Sequence, residues 1–242
     1  EYKLNTSLAF IVNAVYMIFM IFSIFILKEQ FSQVFYWKTK EFIFFFLITE
    51  IFFFMSVSTF RRLKSEILTG NLNNYILRPI NIVYNYTLST FDIVVIPLVI
   101  FYSMLFLVYL LFIVPYFDFF RLIQSLLMAS LGAILTVSVY AGCDSAAFFI
   151  KQNRFLSKPY DMIGEIFSKY PAAFFRGGVI ENLTYISGLA YFGAYATDFY
   201  FGYMSDEKYL KLITVLFFSI LLTSSVACFI WKKGLKRYEA FG

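Results

Sequence analysis

The chain has 242 residues, of which 61% are hydrophobic, 23% aromatic and only 14% charged, with a net charge of +5. A soluble domain has about 25% charged and about 45–50% apolar residues, so this composition excludes a soluble enzyme, a disordered protein and a small disulfide-bonded secreted domain. There are no histidines, and the two cysteines, Cys143 and Cys228, are too few for a metal site or a disulfide framework. The sequence begins at Glu1 without a methionine, so we expect the native start to be missing.

Six apolar segments follow one another along the chain, each long enough to cross a hydrocarbon core of about 30 Å as a helix. They cover residues 4–27, 42–60, 82–114, 119–150, 183–201 and 211–231. Helices are required because backbone polar groups in lipid must pair within the segment. We expect Pro97 to kink the long third helix. The predicted fold is an all-α integral membrane protein of six transmembrane helices, forming a single transmembrane domain over residues 1–242.

The orientation follows from the connections. Basic residues are concentrated after the second, fourth and sixth segments: Arg61, Arg62, Lys64, Arg78, Lys151, Arg154, Lys158, Lys169, Lys232, Lys233, Lys236 and Arg237. By the positive-inside rule that side is cytoplasmic, which places both termini inside. The first connection, with Lys28, Lys38 and Lys40, argues weakly against this scheme.

Two short amphipathic elements, residues 61–80 and 155–171, lie on the predicted cytoplasmic side. In the first, Leu63 and Ile67 are one turn apart and share a helix face. Gly70 can end that helix in a left-handed cap and Asn71 can start another. From these residues alone, the element either ties two spans together at the membrane surface or docks a cytosolic partner.

Charged residues within the spans are candidates for a transport pathway or a subunit interface: Glu50, Asp92 and Asp144. A charge at the bilayer centre costs about 2.5–3.5 kcal/mol on insertion scales, so Glu50 must be paired, protonated or facing a pathway. Asp92 and Asp144 are expected near the cytoplasmic ends of their helices, and Asp198 is expected to be solvated at the outer end. An outer aromatic belt is predicted from five residues: Tyr36, Trp37, Tyr195, Tyr200 and Tyr203.

Four short motifs occur in order along the chain: Tyr2-Lys3, the run from Glu66 to Ile80, Tyr170-Pro171, and the closing run from Phe229 to Gly242. Together with six spans they resemble the membrane subunits of ABC-2-type transporters, the permeases of bacterial exporters, over the whole chain. The family often has prolines in its fifth span that are missing here, so we expect the fifth helix to be less kinked.

The resemblance implies that the element after the second span is a coupling helix that docks a cytosolic ATPase, with Ile67 and Leu68 as its apolar anchor and Glu66 paired to a basic residue of the partner. The docking residues that it implies are Arg61, Arg62, Lys64, Glu66, Ile67, Leu68, Gly70, Leu72, Tyr75, Arg78 and Pro79. The gating residues considered are Tyr170, Pro171, Gly177 and Gly178.

The implied function is ATP-driven export of a small molecule, peptide or drug-like compound across a bacterial inner membrane. The resemblance implies that the chain has no catalytic residue, metal or cofactor of its own, and because it contains no GxxxxGK(S/T) phosphate loop, ATP would be hydrolysed elsewhere. A separate ATPase would hold ATP and Mg²⁺, and a second permease, identical or related, would complete the pathway; no nucleic acid is involved. The alternatives are an ion-coupled secondary transporter acting alone, a membrane enzyme acting on lipid, and a channel or immunity-type scaffold.

Overall fold

A computed structural model describes residues 8, 11–20, 22–23, 26, 36–57, 63–79, 81–90, 95–114, 117–150, 158, 162 and 188–238. Within these ranges the regular structure is helical and includes no strand. The helices are α1 (Ile11–Met20), α2 (Thr39–Val57), α3 (Leu63–Thr69), α4 (Asn73–Ile76), α5 (Ile82–Thr90), α6 (Val95–Phe112), α7 (Phe119–Ser145), α8 (Gly188–Ala190), α9 (Ala196–Tyr200) and α10 (Asp206–Arg237). A 3₁₀ turn, Ala146–Phe148, extends α7, and a π-helical turn, Tyr191–Tyr195, joins α8 to α9.

Three of these helices are long and apolar enough to cross a membrane: α6, α7 with its 3₁₀ extension, and α10. Helix α2 has 19 residues, but Lys40, Glu41 and Glu50 interrupt its apolar sequence. Each of the six predicted apolar segments contains at least one described helix. The prediction of an all-helical membrane protein is therefore confirmed for the described residues.

The third and fifth segments differ in detail from the prediction. The third contains two helices, α5 and α6, and residues 91–94 between them lie outside the described residues. Pro97 is the third described residue of α6, and because the residues just before Val95 are outside the described ranges, the kink at Pro97 stays a prediction. The fifth contains the π-helical turn, which widens the helix locally even though the prolines of the family pattern are missing.

Side-chain caps fix the starts of α2, α7 and α10. The Glu41 carboxylate reaches back to accept the Lys38 amide at 2.8 Å, the reciprocal half of a capping box at the start of α2. Asp118 accepts the amides of Phe120 and Arg121 at the start of α7, and Ser205 starts α10. These bonds satisfy donors that a helix start would otherwise leave unpaired.

The helices pack around α7, which contacts α2, α10 and the α8–α9 segment. Gly132 of α7 and Gly188 of α8 meet backbone to backbone, since an added Cβ at Gly132 would lie 2.7 Å from the Gly188 carbonyl. On another face of α7, the Ser138 hydroxyl lies 3.0 Å from the Ser224 hydroxyl of α10. The small residues of α7 are thus used within the chain, where they allow close helix contact.

Helix contacts define two ends of the bundle. The α3 end contains α3, α4, the start of α5, the 3₁₀ turn after α7 and the last turns of α10. The α9 end contains the start of α2, the end of α9 and the turn before α10, joined by the hydrogen bond from Tyr203 to Glu41. Between the ends, large apolar side chains of α6, α7 and α10 are exposed, as expected of surfaces that lipid covers.

Candidate functional site

The candidate site is the α3–α4 element at the α3 end. Leu63, Ile67 and Leu72 turn inward and are buried, as the predicted spacing requires. Between the two helices, Gly70 has φ of +80°, a left-handed conformation that favours glycine. The Leu72 amide then donates to the Glu66 carbonyl at 3.2 Å. The predicted left-handed cap at Gly70 is therefore confirmed.

The predicted start of the second helix at Asn71 is wrong by a small margin. Leu72 precedes α4, has helical backbone angles and makes no side-chain cap bond. The amides of Asn73 and Asn74 bond to the carbonyls of Gly70 and Asn71. The chain therefore continues in turns after Gly70, and no capping side chain is needed.

The element rests on a hydrophobic cluster that we call the α3-end cluster: Leu63, Ile67, Leu72, Tyr86 and Ala147 at its centre, with Tyr75, Ile76, Phe148, Trp231, Leu235 and Tyr238 at its edge. Tyr75 and Tyr86 pack edge to face at 5.3 Å between ring centroids, and Phe148 packs in the same way on Trp231. The element is thus seated on α5, on the end of α7 and on the end of α10.

The C-terminal end of α10 fits closely into this cluster. An added Cβ at Gly234 would overlap the ring of Phe148, so only glycine allows α10 to approach this closely. Tyr238, just beyond α10, packs edge to face on Phe148 at 5.7 Å. Burial raises the pKa of the Tyr238 hydroxyl, which lies beside the backbone of Leu72 and Asn73.

Polar contacts attach the end of α4 to α5. The Arg78 guanidinium donates to the Asn85 side-chain oxygen at 3.4 Å, and the Asn85 amide nitrogen donates to the Tyr75 carbonyl at 3.5 Å. Asn81 accepts the Val83 amide at 3.0 Å at the start of α5. Arg78, itself exposed, is therefore held by a long, partly buried hydrogen bond to Asn85.

The outward face of the element is partly apolar. Leu68 is 36% exposed, and Leu77 is 82% exposed beside exposed Arg78 and Pro79. Ile67, by contrast, is only 4% exposed, so the prediction that it anchors a partner is wrong: its side chain belongs to the α3-end cluster. Leu77 was not predicted as a docking residue from the sequence, although its position lies outside the buried face of α4.

The remaining predicted docking residues are less exposed. Lys64, Glu66, Gly70 and Tyr75 are partly buried, and Leu72 is fully buried. Several predicted residues lie outside the described residues: Arg61, Arg62, Asp92, Tyr170, Pro171, Gly177 and Gly178. Of the predicted 155–171 element, only residues 158 and 162 are described.

Two carboxylates from the predicted apolar segments are buried inside the described helices. Glu50, midway along α2, and Asp144, in the last turn of α7, are each 8% exposed. Asp144 therefore does not project into water, as the polar end of the fourth segment was expected to do. Among the described residues, no group of three or more possible ligand side chains could hold a metal ion.

The α9 end holds a second polar cluster that the sequence did not predict. Asp198 accepts the Tyr36 hydroxyl at 2.6 Å and the Trp37 indole N–H at 2.7 Å. Glu41, only 2% exposed, accepts the Tyr203 hydroxyl at 2.9 Å. Asp198 is thus bonded within the chain and not solvated as expected, and Trp37 is buried and not part of a lipid-facing belt.

Comparison with protein families assigns the sequence to a known family. The family model described as "ABC-2 family transporter protein" matches residues 11–242. The chain belongs to that family, and it is a membrane component of a transporter in which ATP hydrolysis is carried out by a separate subunit. Comparisons with curated proteins and with solved structures found no match.

Proposed function

We propose that this chain is one half of the membrane pathway of an ABC transporter, and that its α3–α4 element is the coupling helix on which the ATPase docks. The observation that carries this proposal is the two-sided character of the element. Leu63, Ile67 and Leu72 are buried in the chain's own core, while Leu68 and Leu77 are exposed. Exposed apolar residues beside charged ones are typical of protein interaction sites.

The packing of the element supports a role in transmission. Its buried face contacts the end of α7 through Ala147 and Phe148 and the end of α10 through Trp231 and Leu235. A force on the element would therefore reach two long apolar helices directly. Because packed cores shift between discrete arrangements and do not deform smoothly, closure of the ATPase would move these helices together.

For the topology, we propose six transmembrane helices with both termini in the cytoplasm, in a single domain over residues 1–242. Among the described residues, basic side chains outnumber acidic ones at the α3 end: Lys64, Arg78, Lys232, Lys233, Lys236 and Arg237, compared with Glu66 and Asp144. At the α9 end the described charges are balanced: Lys38, Lys40, Arg121, Lys208 and Lys211, compared with Glu41, Asp118, Asp198, Asp206 and Glu207. The excess of positive charge supports a cytoplasmic α3 end. Residues 155–171, which include Tyr170 and Pro171, would form a second cytoplasmic element, and Gly177 and Gly178 would allow a bend between it and the fifth span.

For the transport reaction, we propose export of a small molecule, peptide or drug-like compound across a bacterial inner membrane. ATP and Mg²⁺ would be bound by the partner ATPase, and a second permease would supply the other half of the pathway. Glu50, Asp92 and Asp144 are the proposed pathway or interface residues. Membership of the ABC-2 family favours this mechanism over an ion-coupled transporter acting alone.

Co-purification of the chain with its ATPase tests the proposal. Leu77→Asp places a charge at the most exposed apolar position of the element and should abolish retention of the ATPase while the chain still folds. Phe120→Asp is the matched control: Phe120 is 72% exposed, but it lies at the start of α7, where a carboxylate also suits the helix dipole. Equal retention by both variants would contradict docking at the element.

A further inference from the structure

A groove at the α3 end lies apart from the exposed face of the coupling element. It has a volume of about 220 Å³ and lies between α5, α7 and α10. Its lining includes Val83, Ala141, Ala227, Cys228 and Trp231. Cys228 and Val83 are exposed, so the groove is open at its side. An open apolar groove between membrane helices requires an apolar occupant.

Most of the groove lining is apolar, and two of its polar groups, the Ser138 and Ser224 hydroxyls, are bonded within the chain. The Ser138 hydroxyl donates to the Ile134 carbonyl at 2.9 Å and also lies 3.0 Å from the Ser224 hydroxyl. The groove therefore offers hydrocarbon contact and little unmet hydrogen bonding. An acyl chain fits this chemistry better than a polar cargo does.

The depth of the groove matches the inner part of a lipid leaflet. Its lining on α10 runs from Ser224 to Trp231, about two helical turns or about 10 Å. Lys232 and Lys233 follow directly and are exposed, so the apolar part of α10 ends there. Tryptophan followed by lysine is typical of the level at which lipid headgroups lie.

The charges at this level select the headgroup. Lys232 is one turn beyond Cys228 on the same face of α10, and Lys64 follows Leu63, which also lines the groove. Asp144 is the neighbour of the lining residue Ser145, but it is buried. Basic residues at a cytoplasmic membrane surface attract anionic lipids.

We propose that this groove binds one acyl chain of an anionic phospholipid, with the headgroup beside Lys232 and Lys64. The lipid would fill the space between α5 and the α7–α10 pair, under the coupling element. The site does not depend on the ATPase, so it can be tested on the permease alone and can fail without affecting the proposed function.

Quenching of Trp231 fluorescence by brominated acyl chains tests the site. The chain has two tryptophans, and Trp37→Phe leaves Trp231 as the only one. The protein is placed in neutral phosphatidylcholine bilayers that contain a minor fraction of brominated phosphatidylglycerol or, in parallel, the same fraction of brominated phosphatidylcholine. If Trp37→Phe folds poorly, the difference between the wild type and Trp231→Phe gives the same signal.

We expect stronger quenching by the anionic lipid, because each lysine engaged near the surface enriches it about fivefold. Cys228→Phe fills the groove and should remove this excess, whereas Val226→Phe, at an exposed neighbouring position that does not line the groove, should keep it. Lys232→Gln should reduce the excess. Equal quenching by the two lipids, no quenching by either, or an excess that survives Cys228→Phe would overturn the proposal.

Discussion

At the scale of single residues, glycine decides how closely α7 and α8 can pack. A Cβ on Gly188 would run into the Gly132 carbonyl and the Thr136 side chain, whereas a Cβ on Gly142 would meet the Ala227 Cβ at an ordinary distance of 3.6 Å. The two glycines are therefore a matched pair, because both lie in helices but only one has no space for a methyl group.

The first prediction concerns this pair. Gly188→Ala should destabilise the protein by about 1–3 kcal/mol, the usual cost of overpacking. Gly142→Ala should be neutral or slightly stabilising, since alanine suits a helix better than glycine does. Thermal unfolding of both variants in the same detergent measures the difference. Equal melting temperatures would show that α7 and α8 are not in backbone contact.

The second prediction concerns Tyr203 at the α9 end. Burial, followed by its hydrogen bond to Glu41, raises the pKa of Tyr203 from 10.0 to about 12. The fold therefore favours the protonated phenol, and this stabilisation is complete below pH 10 and is lost as the pH rises toward 12. Tyr203→Phe should melt at a lower temperature than the wild type at neutral pH.

The same comparison at high pH provides the control. The difference in melting temperature between Tyr203→Phe and the wild type should shrink as the pH rises from about 10 to about 12, because the wild type loses its hydrogen bond to Glu41 in that range. A difference that stays constant across this range would mean that ionisation of the Tyr203 hydroxyl does not affect stability, which would contradict the raised pKa.

At the scale of elements, the α3–α4 segment shows what sequence patterns can predict. The spacing of Leu63 and Ile67 and the position of Gly70 predicted the buried face and the cap, because both follow from local helix geometry. The role assigned to Ile67 was wrong, since a residue on an apolar face can contact a partner or the chain's own core. Only the tertiary contacts with Tyr86 and Ala147 decide between these.

The third prediction separates these two roles at neighbouring positions. Ile67→Ala should cost about 2–5 kcal/mol of stability, as truncation of buried isoleucine does. Leu68→Ala should leave stability within about 0.5 kcal/mol and weaken binding of the ATPase. Thermal unfolding and a binding titration on each variant test both statements. If Leu68→Ala lost stability and Ile67→Ala did not, Leu68 would be the buried residue and Ile67 the exposed one, contrary to this assignment.

The α9 end marks the limit of sequence reasoning for a different reason. Tyr36 and Trp37 bond to Asp198 across 162 and 161 positions of sequence. Each aromatic residue near the end of an apolar segment fits an interfacial belt when it is read alone. Their shared partner, the partly buried Asp198, is identified only when α2 and α9 are brought together.

At the scale of the whole molecule, the six apolar segments were the most secure sequence feature, because the thickness of a bilayer sets their length. The breaks within them were less predictable. The π-helical turn at Tyr191–Tyr195 depends on local packing and not on hydrophobicity. A hydropathy pattern covers only a short stretch of sequence, so it does not contain information about packing between helices.

The fourth prediction concerns orientation in the membrane. In a background with Cys143→Ser and Cys228→Ser, a membrane-impermeant maleimide should label Glu207→Cys in intact cells. Lys236→Cys should be labelled only after permeabilisation, because basic residues at the α3 end hold it in the cytoplasm. The opposite labelling pattern would invert the topology, and labelling of both in intact cells would place the two ends on one side.

The measurement that tests the central claim most directly is site-specific crosslinking in living cells. A photoreactive amino acid at position 77 should capture an ATPase that carries a phosphate-binding loop, and capture should require the exposed face of the α3–α4 element. The same amino acid at position 120 should capture no such protein. Crosslinking of the ATPase from position 120 but not from position 77, or from neither position in cells where the ATPase is present, would contradict docking on this element.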